Sequence, residues 1–253
     1  MLLNCDLGES YGPWRMGMDA HVMPHIDLAN IACGFHAGDP DVMAATMGRA
    51  VARGVGIGAH PGFRDLQGFG RNRMDVPRAT LANQVRYQLG AAQGMARAAG
   101  GTVRHLKLHG ALANMASEDE GLARACYEAA LSVDPEIIVM VLAGTAQERA
   151  ACSLGARMAC EIFADRAYNG DGTLVDRRQP GAVIHDAGHA AARILDMLRA
   201  GAIIAEDGTH IPTRIDTICL HGDTPEAVEI ARSLRKGLEA AGIGIARFEG
   251  ARA

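Results

Sequence analysis

Short apolar runs alternate with longer segments of helical period along the whole of this 253-residue chain. Runs at 2–6, 27–33, 55–59, 104–108, 137–142, 160–163 and 215–220 have the length of strands. Several are nearly continuous in apolar residues, as strands covered on both faces should be. A late run at 243–248 predicts a further strand or a sheet edge. Helix signals fall between the runs. Asp39-Pro40 reads as an N-cap and first helical residue, with Val42, Met43, Met47, Ala50 and Val51 on one face and Gly54 past the end. Ser117 with Glu120 fits a capping box, and Thr224-Pro225 opens a last helix carrying Val228, Ala231, Leu234 and Leu238. Such alternation predicts a parallel sheet with right-handed crossovers, closed into a barrel or open and doubly wound. Two stretches break the rhythm. Residues 62–76 are rich in Gly and Arg without any period, the composition of a functional loop. Asp207-Gly208 lies between two short runs, which predicts a β-hairpin inserted at 203–213.

The length suits one α/β barrel domain spanning 1–253. With 25 Lys and Arg against 29 Asp and Glu, and no basic run, neither nucleic acid nor an anionic membrane is an expected partner. The N-terminus lacks a basic start with a long apolar stretch behind it, and the longest apolar run, 137–143, is too short to span a bilayer. Six cysteines without C-x-x-C spacing read as small buried hydrophobes of a reducing compartment, so the expected location is the cytoplasm.

Four histidines stand where an apolar run gives way to a turn: His36 in NIACGFHAGDP, His60 in VGIGAHPGF, His109 in RHLKLHGAL and His221 in IDTICLHGDTP. If those strands lie parallel, the imidazoles converge on one rim, where a (β/α) barrel builds its active site. The first run ends in NCDLGE, and alternation sends Asn4 and Asp6 to the same side, with Glu9 just beyond the turn at Gly8. Lys107 and His109 likewise share a side of their strand, and a lysine facing a barrel interior needs an anion or a shifted pKa. HAGDP and HGDTP repeat one device, a histidine, a tight Gly turn and an Asp-Pro or Asp-Thr-Pro helix start, whose backbone amides favour anions. Asp223 belongs to the second copy; Asp39, in the first, reads equally as a plain N-cap. Asp165 and Arg166 end another strand, either as a structural ion pair or as a clamp for a small zwitterion, Arg166 on its carboxylate. No P-loop, G-x-S-x-G or H-E-x-x-H pattern occurs. His and Asp side chains suit zinc, manganese or iron, but the spacing selects no metal.

In order, NCDLGE, NIACGFHAGDP, GAHPGFRDLQGFGR, KLHGALAN, EIFADRAY and TICLHGD resemble the LamB/YcsF family through nearly the whole chain. Leu108 and Ala113 stand where that family more often has Pro and Tyr. The resemblance implies an irregular (β/α) barrel of about seven parallel strands, akin to the glycoside hydrolase/deacetylase barrels. It also implies ATP-dependent opening of 5-oxoproline (pyroglutamate) to L-glutamate, with ATP and Mg2+, as one subunit working with 5-oxoprolinase subunits B and C; self-association is left open. On that reading Asp6 with His60 or His109 moves protons, and Lys107 meets developing negative charge or phosphate. Asn4, Glu9, His36, Asp165, Arg166, His221 and Asp223 hold substrate or phosphate. Two other readings are a metal-dependent amidohydrolase or deacetylase acting alone, and a non-catalytic substrate-binding subunit.

Overall fold

Seven parallel strands close on themselves in this computed structural model, which describes residues 1–221, 226–244 and 250–252. In chain order the strands are β1 (Leu2–Leu7), β2 (Leu28–Ala32), β3 (Gly56–His60), β4 (Val103–Lys107), β5 (Ile138–Leu142), β6 (Arg157–Phe163) and, after an inserted ribbon, β9 (Thr217–His221). Each pairs with the next, β9 pairs with β1 along five residues, and the shorter β6–β9 ladder, Glu161–Phe163 against Thr217–Cys219, completes the barrel. The ribbon is a two-stranded antiparallel sheet of β7 (Ala202–Ile204) and β8 (His210–Pro212), turning at Asp207-Gly208. A short β10 (Ala251–Arg252) lies antiparallel on the entry end of β6. Residues 245–248 of the expected late strand lie outside the described residues, as do Asp223 and the Thr224-Pro225 helix start.

Helices cover the outside: α1 (Asp19–Val22), α2 (Pro40–Arg53), α3 (Arg78–Ala98), α4 (Gly110–Glu118), α5 (Glu120–Val133), α6 (Ala146–Ser153), α7 (Ala187–Ala200) and α8 (Ala227–Ala240). The Asp39 carboxylate caps α2 by accepting from the Asp41 and Val42 amides, and it also takes the Gly12 amide, which ties the β1 loop to that helix start. The expected inward face of α2 holds at Met43, Met47 and Ala50, whereas Val51 is exposed. The capping box is not formed. Ser117 lies inside α4 and donates to the Asn114 carbonyl, while Asp119 caps α5 by accepting from Leu122. Asp at the helix boundary competes better than Ser two residues earlier, because it already sits in extended backbone. Among the described residues no helix is long and apolar enough to cross a membrane, and all six cysteines are unpaired.

The apolar core lies mainly between barrel and helices, where Leu3, Cys5, Leu7 and Ile31 of the strands join Met47, Leu89 and Leu238 of the helices in one buried cluster. Inside the barrel the apolar part is small, a plug of Ile138, Met140 and Ala159 with Leu28 against it. Beside that plug the interior carries a group of polar and charged side chains.

Candidate active site

Alternation turns every second side chain of each strand into the barrel. Register then stacks them: Asp6 pairs with Asn30, Asn30 with Gly58 and Gly58 with His105 across β1 to β4. Gly58 is required here, because a Cβ at that position would stand 2.0 Å from His105 Nε2. The missing side chain on β3 is the space that the His105 ring occupies.

The deeper layer is a closed hydrogen-bond network. Asn4 Nδ2 donates to Thr217 Oγ1 (2.9 Å), and Asn30 Nδ2 donates to Asn4 Oδ1 (2.7 Å) and Asp6 Oδ1 (2.8 Å). His105 Nε2 lies 2.8 Å from Asn30 Oδ1, which makes this nitrogen the protonated one of a neutral ring. Burial, with the charge of Lys107 beside it, pulls the His105 pKa down to about 3. This layer holds the next one in place.

The upper layer carries the charges. Lys107 Nζ reaches Asp6 Oδ1 (2.9 Å), Cys219 Sγ (2.8 Å) and Glu161 Oε1 (3.2 Å). The other Asp6 oxygen faces His60 Nε2 at 3.2 Å and His221 Nε2 at 3.8 Å. Beyond it, His221 Nδ1 meets Asp165 Oδ2 at 2.7 Å. His60 Nδ1 is held by the Lys107 carbonyl (2.8 Å), and its Nε2 lies 3.0 Å from His109 Nδ1. His109 Nε2 in turn meets the Phe69 carbonyl (2.8 Å), and the His36 ring lies flat against His109 with centroids 3.6 Å apart. Asp6, Lys107 and the three histidines 36, 60 and 109 are each at most 4% exposed.

Burial alone would raise the Asp6 carboxyl, but the charges of His60 and Lys107 outweigh it and hold the group well below the usual carboxylate range. Lys107 shows the mirror effect. Burial would lower it, yet Asp6 and the other acceptors hold it well above its ordinary value, so it is an ammonium. Burial wins at Glu161, which is raised despite Lys107, and at Cys219, which stays a thiol, accepting from Lys107 and donating to the Leu220 carbonyl. At Asp165 the His221 charge and hydrogen bond overcome burial and lower the pKa. The result is a fixed ammonium between carboxylates, with imidazoles on the same carboxylate. Such a set can stabilise an oxyanion and move protons within one cleft.

Of the residues singled out from sequence, Asp6, Glu9, His36, His60, Lys107, His109, Asp165 and His221 gather at this mouth, Glu9 through its carboxylate 3.9 Å from His109 Nδ1, and Asn4 lies in the layer beneath. Asp223 lies outside the described residues. Arg166 is engaged by the loop that follows it. Its guanidinium donates to the carbonyls of Ala182 (3.2 Å) and Val175 (2.6 Å) and fastens the 167–182 loop, while Asp165 pairs with His221 instead. A buried guanidinium must satisfy its donors, and the nearest acceptors are those carbonyls. Burial and the Arg177 charge lower Arg166 to about 10. Arg71 and Arg177 stand close enough to act on it, and Arg71 lies over the Phe69 ring. Sequence reasoning missed Asn30, His105, Glu161, Thr217 and Cys219 as site residues. For the last four the signal was parity: each is an even number of positions from a residue already placed at the end of its own run. Asn30 offered only an amide within an apolar run.

The sequence profile of the LamB/YcsF family matches residues 1–253. A protein of Ruegeria pomeroyi, named as the A subunit of 5-oxoprolinase, is 66% identical over 247 residues, 98% of each chain. One of the same name from Nitrobacter hamburgensis is 52% identical over 251 residues, covering 99% of this chain and 98% of its own. The crystal structure of a lactam utilization protein from Thermus thermophilus superposes with a TM-score of 0.89 at 42% identity, over 96% of this chain and 97% of that one. With the profile matched end to end and these identities across nearly full length, the chain belongs to the LamB/YcsF family.

Proposed function

We propose that this chain opens the ring of 5-oxoproline to give L-glutamate, as the lactam-opening subunit of an ATP-dependent 5-oxoprolinase completed by subunits B and C. The observation that carries the reading is the buried Asp6–Lys107 pair, with His60 and His221 on the free carboxylate oxygen, at the mouth of a barrel. The naming of similar proteins as the A subunit of 5-oxoprolinase supplies the substrate.

A lactam amide resists water because its nitrogen lone pair is delocalised into the carbonyl. Transfer of the terminal phosphoryl group of ATP to the lactam oxygen removes that resistance and releases ADP. Water then adds to the activated carbon, and the C–N bond breaks with its electron pair and a proton going to nitrogen. A second water cleaves the resulting acyl phosphate to glutamate and phosphate. In this reading Lys107 meets charge on oxygen, and the Asp6 carboxylate, with His60 beside its free oxygen, takes the proton from water. His221, oriented by Asp165, is the partner that returns a proton to nitrogen. Arg71 and Arg177, whose charges reach Arg166, supply cations at the rim for the substrate carboxylate or phosphate. ATP and six unpaired thiols together favour a cytoplasmic setting.

The test is release of ADP and glutamate from 5-oxoproline, measured for the chain alone and then with B and C. Equal amounts of both products that appear only with all three proteins support the reading. Full turnover by B and C without this chain overturns it. Turnover by this chain alone, without ATP, would favour the amidohydrolase reading instead.

A further inference from the structure

We infer that Glu9, His36, His60 and His109 form a site for one divalent transition-metal cation of the zinc, manganese or iron class, on the β2–β4 side of the barrel mouth. Each of the four buried residues offers one ligand atom, and these atoms all lie within 4.8 Å of one another. The chemistry fits, since imidazole with one carboxylate suits these ions and not calcium or magnesium.

The tautomers point the same way. His60 Nδ1 faces only the Lys107 carbonyl and His109 Nε2 only the Phe69 carbonyl, so those nitrogens carry the protons. The lone pairs are left on His60 Nε2 and His109 Nδ1, which face one another at 3.0 Å, and Asp6 Oδ2 is a third acceptor 3.2 Å from His60 Nε2. Acceptors this close repel unless a proton or a metal cation sits between them. Two bonds of about 2.1 Å at a right angle span about 3.0 Å, the edge of a metal coordination shell. Anchoring the far nitrogen of each ring on a backbone carbonyl is how proteins orient imidazole ligands.

A proton shared between His60 and His109 would explain the 3.0 Å contact, but not the other two members. Both ring nitrogens of His36 are buried without a hydrogen-bond partner, and the Glu9 carboxylate lies 3.9 Å from His109 Nδ1. His36 and His109 are stacked at an interplanar angle of 6°, so one ion cannot lie in the plane of both. Binding therefore turns His36 about its Cβ–Cγ bond, and no hydrogen bond to its ring resists that turn. The surrounding loop is shaped for these rings. Phe69 is the one non-glycine among the described residues with positive φ (54°), a costly conformation that aims its carbonyl at His109. A Cβ at Gly70 would stand 2.7 Å from both His109 Cδ2 and His36 Cβ.

The inference does not rest on the lactam reading, because metal binding is measured on the chain alone without substrate. The full chain is stripped with a chelator, incubated with Zn2+, Co2+ or Mn2+ in turn, and passed through a desalting column before elemental analysis. About one ion per chain is expected for at least one of the three, with visible d–d bands for Co2+. Glu9→Gln, which keeps the side-chain shape, and His60→Ala should each weaken binding by about 10-fold to 100-fold or more, with circular dichroism confirming the fold. Imidazole nitrogen shifts in NMR supply a readout on the wild-type chain. Movement of the His36, His60 and His109 signals on adding Zn2+ supports the site. Retention of none of the three metals, with a proton shared between His60 and His109 in the NMR spectrum, overturns it. A chain that holds no metal and still supports 5-oxoproline-dependent ADP release with B and C would sink this inference and leave the lactam reading standing.

Discussion

The two faces of β1 are equally buried and chemically opposite. Leu3, Cys5 and Leu7 point outward into the helix layer with no exposed surface, while Asn4 and Asp6, between them, point inward at 0% and 4%. On the outer face the environment is apolar and a side chain contributes volume, so its removal leaves a cavity of a size that neighbours can partly fill. On the inner face each side chain is a partner of two or three others. Removing one strands the rest, and a buried group without its partner costs more than the contact itself contributed. Burial therefore says little about the role of a residue here; the side of the strand says more.

The sharpest way to break that contrast is to change the inner face at its centre. Asp6→Asn and Lys107→Ala each leave a buried charge without its partner, and each should cost about 3–5 kcal/mol of stability in urea titrations. In the reconstituted complex both should also lower turnover by at least about 100-fold. Near-normal rates in both variants would remove these residues from the chemistry. Leu3→Ala, one position from Asn4, should cost about 2–5 kcal/mol by cavity formation and leave the turnover of the folded fraction close to wild type. A drop in kcat as large as that of Asp6→Asn would erase the distinction between faces.

Acidity separates two carboxylates within the inner face. The folded-state pKa of Asp6 lies below its unfolded value, so its contribution is complete above about pH 4 and is lost as pH falls towards the folded value. Glu161 is raised, so its ionised form opposes folding, and that cost sets in as pH rises from about 4 through its folded value. Stability of Asp6→Asn relative to wild type should consequently be worst near pH 8 and improve towards about pH 3. Glu161→Gln should follow the reverse course. Parallel pH profiles for the two variants would contradict the assigned charge states. The smallest effect belongs to Arg166→Met, which strands the Val175 carbonyl while that of Ala182 keeps the Ala167 amide, and should cost about 1–3 kcal/mol with little change in KM for 5-oxoproline. A large rise in KM would return Arg166 to the substrate.

Much of this site could be read from strand ends. His60 and His221 close β3 and β9, and Asn4 with Asp6, or Lys107 with His109, follow the two-residue repeat. The residues missed lie two or more positions deeper in the same strands. Asn30 within LANIA and Cys219 within TICLH sit in runs that read as uniformly apolar. Such a run looks the same whether its inward side meets a plug of methyl groups or a network of amides. Arg166 shows the opposite limit. A cation at a strand end next to an acid has the same local pattern whether it faces ligand or loop, and only the path of residues 167–182 brings the carbonyls that claim it.

The sequence by itself determined the alternation of strand and helix, the side on which each strand residue falls, and the family. These depend on local periodicity and on residue identity, which short-range sterics and hydrophobic burial convert directly into structure. Tertiary structure alone decided which inward groups meet. Lys107 and Asp6 are 101 positions apart, and their 2.9 Å contact exists because seven strands close with one particular register. Closure also fixed the protonation states, since carboxylates, an ammonium and five imidazoles share one water-poor interior and each sets the charge that the others can hold.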